Sequence, residues 1–121
     1  MVLMTVLHRL ITAEDWLEAN RRNRIEPSDL DKVSGFVHLS RPEQSAQTAE
    51  LYFKPETKPL VLELNVDGLA DSLKWEWVES RGEEMPHLYR ELKFDDVLGV
   101  RVVNFTKTGV MFGESIDFFG V

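Results

Sequence analysis

Three histidines are the residues of this sequence best suited to chemistry: His8 in "VLHRLIT", His38 in "GFVHLS" and His87 in "MPHLY". A neutral imidazole has one hydrogen-bond donor and one acceptor and titrates near neutral pH, so it can orient a hydroxyl group, accept a proton or stack on another ring. His8 and His38 each lie in a short apolar segment that precedes a helix signal. Free N–H groups at a helix start favour anions, so this arrangement indicates a pocket for a ligand with phosphate or carboxylate groups.

A zinc site and a hydrolase site are the other chemistries to weigh, and the spacing argues against both. Catalytic zinc sites commonly use three protein ligands and a water molecule, but no histidines here stand in an H-x-H or H-x-x-x-H pattern. No metal is therefore expected. Ser40 follows His38 on the same predicted strand, which separates their Cα atoms by about 7 Å, and the G-x-S-x-G motif is absent. Ser40 is better explained as a helix cap.

A purely structural role is the alternative for each histidine. A single histidine on an apolar strand more often packs in the core, where its nitrogens bond backbone carbonyl groups. A functional role requires the histidines to meet in one cleft, whereas a structural role does not. The sequence leaves both interpretations open.

The first half of the chain predicts two strand-to-helix units. Period-two alternation over residues 6–10 predicts a strand, after which Thr12 caps a helix that ends in "NRRNR". A loop follows over residues 25–34. Residues 36–40 form the second strand, and "SRPE" begins the second helix, with Ser40 as its N-cap and Pro42 in the first turn.

The second half of the chain predicts strands without long helices between them. "PLVLELNV" is the clearest strand, half buried by its alternation, and it breaks at Asp67 and Gly68. Residues 74–78 form a fourth strand, whose indole rings at Trp75 and Trp77 we expect to be buried in the core. "ESRGEEMPHLY" is predicted to be an acidic loop, "KFDDV" one helical turn and "GVRVV" a last strand.

Composition limits the class of protein. A chain of 121 residues with 43% hydrophobic residues fits one domain with one core, here placed at about residues 4–105, with a tail over 106–121 that adds an edge strand or wraps the surface. The element order predicts an α+β domain with mixed sheets and two early helices. The net charge of −7 makes a nucleic-acid partner unlikely on electrostatic grounds. The first eleven residues are too short to cross a membrane, so no membrane association is expected. The absence of cysteine fits a cytoplasmic protein.

Four motifs carry a family resemblance. They are "HRLITAEDW", "GFVHLS", "LVLELNV" and "PHLY", in this order along the chain. Together they resemble the DUF952 family of small uncharacterised proteins over about residues 6–103. That family is similar in fold to the ADP-ribosyltransferases, which bind NAD in a cleft between two small sheets. The resemblance therefore implies an ADP-ribosyltransferase-like fold and NAD, or a related nucleotide, as the ligand.

The same resemblance implies roles for particular residues. In the wider fold a histidine of the first strand holds a ribose of NAD, and His8 is the position that matches. Residues of the second strand line the nicotinamide-ribose pocket, and His38 lies there after a glycine. His8 and His38 are the candidate catalytic residues. The candidate nucleotide-binding residues are His8, Gly35, His38, Ser40, His87 and Tyr89.

The sequence also departs from the transferase pattern. Transferases of this fold commonly use a late glutamate on a strand, and no motif assigns that role to Glu76, Glu79, Glu83 or Glu84. The family's "FPHLYG" is "MPHLYR" here, and Leu7 replaces an aromatic residue. Two functions follow as alternatives: a transferase of ADP-ribose or a related group, and a non-catalytic module that binds a small metabolite or a peptide. The oligomeric state is left open.

Overall fold

The computed structural model describes residues 6–116. Its strands are β1 Val6–Ile11, β2 Val37–His38, β3 Leu60–Asn65, β4 Leu73–Val78, β5 Glu83–Leu88, β6 Val97–Thr106 and β7 Gly109–Ile116. Its helices are α1 Ala13–Arg22, α2 Asp29–Ser34, α3 Pro42–Tyr52 and α4 Val66–Leu69. Short 3-10 turns lie at Pro55–Thr57, Ala70–Ser72 and Phe94–Asp96.

The strands form two antiparallel sheets. The first sheet has the order β1-β3-β6-β7 and the second has the order β2-β5-β4. The predicted α+β class is confirmed, but the prediction of mixed sheets is wrong, because every described strand pair is antiparallel. A short connection joins β4 to β5 in one sheet and β6 to β7 in the other. Short connections join antiparallel neighbours, whereas parallel strands need a long crossover.

Strand β3 is the centre of the core. Its residues Leu62 and Leu64 are buried in a cluster with Trp16 of α1 and Leu88 of the second sheet. On its other face, Val61 packs in a second cluster that includes Ala49 of α3. The alternation in this strand predicts burial of one face only. The leucine face is buried as predicted, and on the other face Val61 is also buried, under α3, whereas Glu63 and Asn65 are partly exposed.

The segment 25–34, predicted to be a loop, contains helix α2. Ser28 caps this helix, and its hydroxyl accepts a hydrogen bond from the backbone N–H of Asp31, while the Asp31 carboxylate accepts one from the N–H of Ser28. Gly35 ends the helix with a φ of 86°, the left-handed conformation that favours glycine. The signal that predicts α2 is therefore a capping box with aspartate in place of the usual glutamate.

The segment 79–89, also predicted to be a loop, contains the central strand β5. Pro86 lies within this strand. A proline disfavours a strand in sequence analysis because it cannot donate a hydrogen bond to a β-ladder. The carbonyl of Pro86 accepts from the N–H of Leu39, so its donor-less nitrogen also faces the β2 side of the sheet. The pairing with β2 ends at His38, and the missing donor therefore costs little.

Two local predictions need correction. The N-cap of α3 is Arg41 and not Ser40. The Ser40 hydroxyl instead contacts the hydroxyl of Thr48, further along α3, at 3.0 Å. Trp75 and Trp77 are exposed by 44% and 60%, because β4 is the edge of the second sheet and the core does not extend under them. The start of α1 after Thr12 and the turn in "KFDDV" are confirmed.

The tail forms an edge strand. Of the two predicted arrangements for residues 106–121, the structure has β7 paired with β6 at the margin of the first sheet. Residues 117–121 lie outside the described part of the chain.

Replacement of Leu64 by alanine should lower the free energy of unfolding by about 2 to 5 kcal/mol, because the side chain is fully buried and leaves a cavity. The matched control is Leu98→Ala, at an exposed leucine of β6, which should change the same quantity by about 0.5 kcal/mol or less. Urea denaturation followed by tryptophan fluorescence measures both. Equal losses in the two variants would contradict the assignment of β3 to the centre of the core.

Candidate functional site

In the described part of the chain, one backbone bridge links the two sheets at their edges, and a cleft opens beside it. His8 of β1 and Ser40 after β2 exchange two backbone hydrogen bonds, of 2.7 and 2.9 Å. Past this bridge β1 and β2 separate, and the space between them belongs to a cavity of about 660 Å³. The cavity is lined by the end of β1, by α1 and α2, by α3 and by the second sheet. Side chains that matter below are Arg9, Asp31, His38, Ser40, Arg81 and His87.

Side chains bind the backbone N–H and C=O of His38 on the side where no strand pairs with it. Leu39 donates its N–H to β5, so the N–H and C=O of His38, one residue away, point to the opposite side, toward β1. Arg9 Nη1 donates to the carbonyl oxygen of His38 at 2.8 Å, and the N–H of His38 donates to Asp31 Oδ1 at 3.0 Å. Arg9 and Asp31 therefore take the place of strand pairing at the mouth of the cleft.

The Asp31 carboxylate is the most heavily bonded group of the site. It is buried, and it accepts from Arg9, from the backbone of Ser28 and from both the backbone and the ring of His38. Burial by itself raises the pKa of this carboxyl. The hydrogen bond from the His38 ring, the charge of Arg9 and the backbone donors outweigh that effect and hold the pKa of Asp31 well below its usual range. Asp31 is thus a permanent anion at neutral pH.

The Asp31 anion determines which ring nitrogen of His38 carries the hydrogen. His38 Nδ1 lies 2.7 Å from Asp31 Oδ1, and an ionised carboxylate can only accept, so Nδ1 carries the hydrogen. In the neutral ring Nε2 is then an acceptor. The His38 side chain is 31% exposed and lines the cleft. The site therefore contains an oriented imidazole that can receive a proton or a hydrogen bond from a ligand.

His87 forms a second carboxylate–histidine pair beside the first. It lies opposite His38 in the β2–β5 pairing, with 5.8 Å between the ring centroids. Its Nδ1 is 2.8 Å from Glu76 Oε1, which also accepts from the Tyr89 hydroxyl at 2.6 Å. Phe36 stacks on the His87 ring at 3.9 Å. His38 and His87, far apart in the sequence, are brought together; they are two of the three histidines in the hypothesis of a shared cleft.

His8 lies elsewhere. Its ring is buried, contacts Ser45 Oγ of α3 through Nδ1 at 2.8 Å and meets Phe112 edge-on. Burial, which outweighs the nearby charges, lowers its pKa. Side chains alternate along a strand, so Arg9 faces the cleft while His8 faces α3. The described structure does not place His8 in the cleft lining or bring it to the other histidines.

The remaining predicted site residues divide in the same way. Ser40 lines the cleft but is buried, with its hydroxyl bound to Thr48. Gly35 serves as the C-cap of α2, and Tyr89 packs beside Phe36. Neither Gly35 nor Tyr89 belongs to the lining that the structure describes.

The four glutamates considered for a transferase role are also outside that lining. Glu76 holds His87 and Tyr89, Glu79 accepts from the Trp77 indole, and Glu83 pairs with Arg41. Among residues 6–116, no cluster of three or more histidine or acidic side chains is arranged to hold a metal ion. Within that same range, no helix is long and apolar enough to cross a membrane.

Sequence reasoning missed Arg9 and Asp31. Arg9 was readable as the one charged residue within the apolar first strand, on the opposite face from His8. Asp31 was readable as part of a capping box after Ser28. No sequence signal indicated that the two side chains pair with each other and with His38.

Fold and site together define a small α+β protein with a histidine-containing cleft between two antiparallel sheets. The profile of the DUF952 family, described as a protein of unknown function, matches residues 10–100. The chain belongs to this family. A comparison with curated proteins gives no match.

Solved structures of one relative resemble this chain over most of its length. The crystal structure of protein CC0527 from Caulobacter crescentus is 31% identical, covers 88% of this chain and 92% of its own, and superposes with a TM-score of 0.77. The solution NMR structure of the same protein gives 32% identity, coverage of 88% and 91%, and a TM-score of 0.75. The fold described here is therefore shared with that protein.

The lowered pKa of Asp31 predicts a pH-dependent contribution to stability. Its anion contributes stability that is fully present above the ordinary value of 3.8 and is lost as the pH falls toward the folded value. The Asp31→Asn variant should be less stable at pH 6 by about 3 to 5 kcal/mol, since it leaves Arg9 without its buried partner.

The gap between wild type and Asp31→Asn should then narrow as the pH is lowered from 5 to 3, by at most about 1.4 kcal/mol per pH unit for one proton. Urea denaturation at several pH values measures the gap. Other carboxylates with a lowered pKa, such as Asp96, titrate in both proteins and cancel in the difference. A gap that stays constant over this range would contradict the assignment.

Proposed function

We propose that the cleft binds NAD or a related nucleotide, in an arrangement like that of the ADP-ribosyltransferases. One observation carries the proposal: the cleft opens between the edges of two small antiparallel sheets, just past the single bridge between His8 and Ser40, and it holds the oriented ring of His38. The resemblance of the motifs to a family with this type of fold points to the same ligand.

The size and lining of the cleft support a ligand of this kind. A volume of about 660 Å³ lies within the range of small-molecule sites, about 300 to 1,000 Å³. Tyr52, Phe53 and Ile11 offer surfaces for a flat ring, and Arg81 and Arg24 offer positive charge for phosphates.

Arg81 is the better placed of the two arginines. Its guanidinium donates to the side chains of Gln47 and Thr48 and to the carbonyl of Gln44, at 3.0 to 3.2 Å. All these partners are neutral groups of α3, so the charge of Arg81 is held in place without being neutralised by them. Arg24, in contrast, is paired with Glu26 and Glu91.

A non-catalytic binding module is the second candidate function. It is favoured by the position of Glu76, Glu79, Glu83 and Glu84, none of which is in the described lining. A cleft without a glutamate in the transferase role binds a nucleotide, a small metabolite or a peptide without cleaving it. The two candidates differ in one observable, the release of nicotinamide.

Replacement of His38 by alanine should weaken NAD binding about tenfold or more, because the variant loses a ring that lines the cleft. The matched control is His8→Ala. It should leave the affinity within about twofold while lowering the free energy of unfolding by about 1 to 3 kcal/mol, since His8 is buried and hydrogen-bonded outside the cleft.

Isothermal titration calorimetry with NAD measures the affinities, and chemical denaturation measures the stabilities. No binding of NAD to the wild type at millimolar concentration would overturn the nucleotide proposal. If NAD binds, incubation for hours with detection of free nicotinamide separates a transferase from a binding module.

A further inference from the structure

We infer that His38 is the general base of this cleft, that Asp31 is its positioning residue, and that the acceptor of the transferred group is a hydroxyl compound, either an alcohol or water. This inference rests on the proposed function and names the acceptor class for the same site.

The arrangement around His38 is that of a carboxylate–imidazole pair built to take up a proton. Asp31 Oδ1 binds Nδ1 at 2.7 Å and the backbone N–H of the same residue at 3.0 Å, so both the ring and its attachment are held by one carboxylate. Arg9 Nη2 binds the other oxygen at 2.7 Å. Protonation at Nε2 then creates an imidazolium beside a fixed anion, which stabilises it.

His87 is less suited to this role although it has a similar partner. Its side chain is 8% exposed, against 31% for His38. Phe36 packs against both rings, but it stacks on His87 at 3.9 Å and meets His38 at a tilt, at 4.6 Å. Its carboxylate, Glu76, is shared with the Tyr89 hydroxyl and is itself more than a third exposed. His38 is thus the accessible imidazole of the two, and its partner is the buried one.

The charges near His38 come from several elements. Asp31 of α2 contacts the ring, Arg9 of β1 contacts the backbone carbonyl, and His87 of β5 lies beside it. Because Arg9 compensates the charge of Asp31, the anion can remain buried while the ring stays exposed to the cleft.

A general base indicates which acceptors the site would use. An anionic acceptor needs no proton removed, whereas a hydroxyl group becomes a better nucleophile when its proton is taken during attack. In the proposed step the acceptor oxygen forms a bond to ribose C1′ and its proton moves to His38 Nε2. The bond between C1′ and the nicotinamide nitrogen breaks, and its electron pair neutralises the pyridinium charge. The proton then leaves to solvent.

The first test reads the ring directly. Nitrogen NMR of the histidine rings at neutral pH should show His38 with hydrogen on Nδ1 and a bare Nε2. In Asp31→Asn the amide can donate to Nδ1, so the hydrogen should move to Nε2 while the His87 signals stay in place. The matched control, Glu76→Gln, should shift His87 and leave His38 unchanged. Hydrogen on Nε2 of His38 in the wild type would overturn the inference.

The second test separates a base from a structural residue. His38→Asn keeps a donor for Asp31 and removes Nε2. With NAD bound, it should release nicotinamide about 100-fold more slowly when water or methanol is the acceptor. With azide, an anion that needs no base, the rate should fall less than about threefold. Methyl ADP-ribose and ADP-ribosyl azide identify the acceptor in each reaction.

The outcomes distinguish the inference from the proposed function. Equal loss with water, methanol and azide would overturn the base role of His38, as would NAD that binds to the wild type without release of nicotinamide by any acceptor. Both results leave nucleotide binding intact. Failure of NAD to bind in the calorimetric titration overturns the proposed function, and the inference falls with it.

Discussion

The buried ion pair of Arg9 and Asp31 is the interaction on which the site depends. Two charges removed from water are costly unless their other hydrogen-bonding positions are filled. Here Asp31 also accepts from Ser28 and His38, and Arg9 also donates to the His38 carbonyl. The pair thereby joins β1, the start of α2 and the end of β2, which are distant in sequence. The buried charges fix the position of the His38 ring, and they bind the backbone N–H and C=O of His38, which lack a strand partner on this side.

The cleft itself is a consequence of topology. β1 and β2 are edge strands of different sheets, and they share one bridge before they part. On its other side β2 gains little more pairing, because Pro86 offers no donor where the ladder would continue. β2 is short and does not pair with β1 beyond the bridge. The side chains of Arg9 and Asp31 therefore bind the backbone C=O and N–H of His38. The polar groups needed for this purpose are the same groups that give the cleft its chemistry.

Charge is distributed unevenly around this opening. The whole chain carries a net charge of −7, and the cleft lining contains both acidic and basic side chains. Arg9 is paired there with Asp31, whereas Arg81 donates to neutral groups. A cleft with low-dielectric walls concentrates the field of such groups. The net charge of the chain disfavours polyanions, whereas the charge of Arg81, whose described partners are neutral, favours a small anionic ligand that fits between the sheets.

Local patterns in the sequence determined much of the fold. Alternation and capping signals predicted β1, α1, α3, β3 and β4, because these depend on neighbouring residues. The helix α2 and the strand β5 were missed, since an aspartate capping box and a central proline are acceptable only in a particular tertiary setting. The pairing of His38 with His87 across two strands, the departure of His8 to the α3 side and the contact between Arg9 and Asp31 were decided by the tertiary structure alone. The physical reason is that a sequence shows which side chains share a strand face, whereas only the packing of the two sheets shows which face borders a cleft.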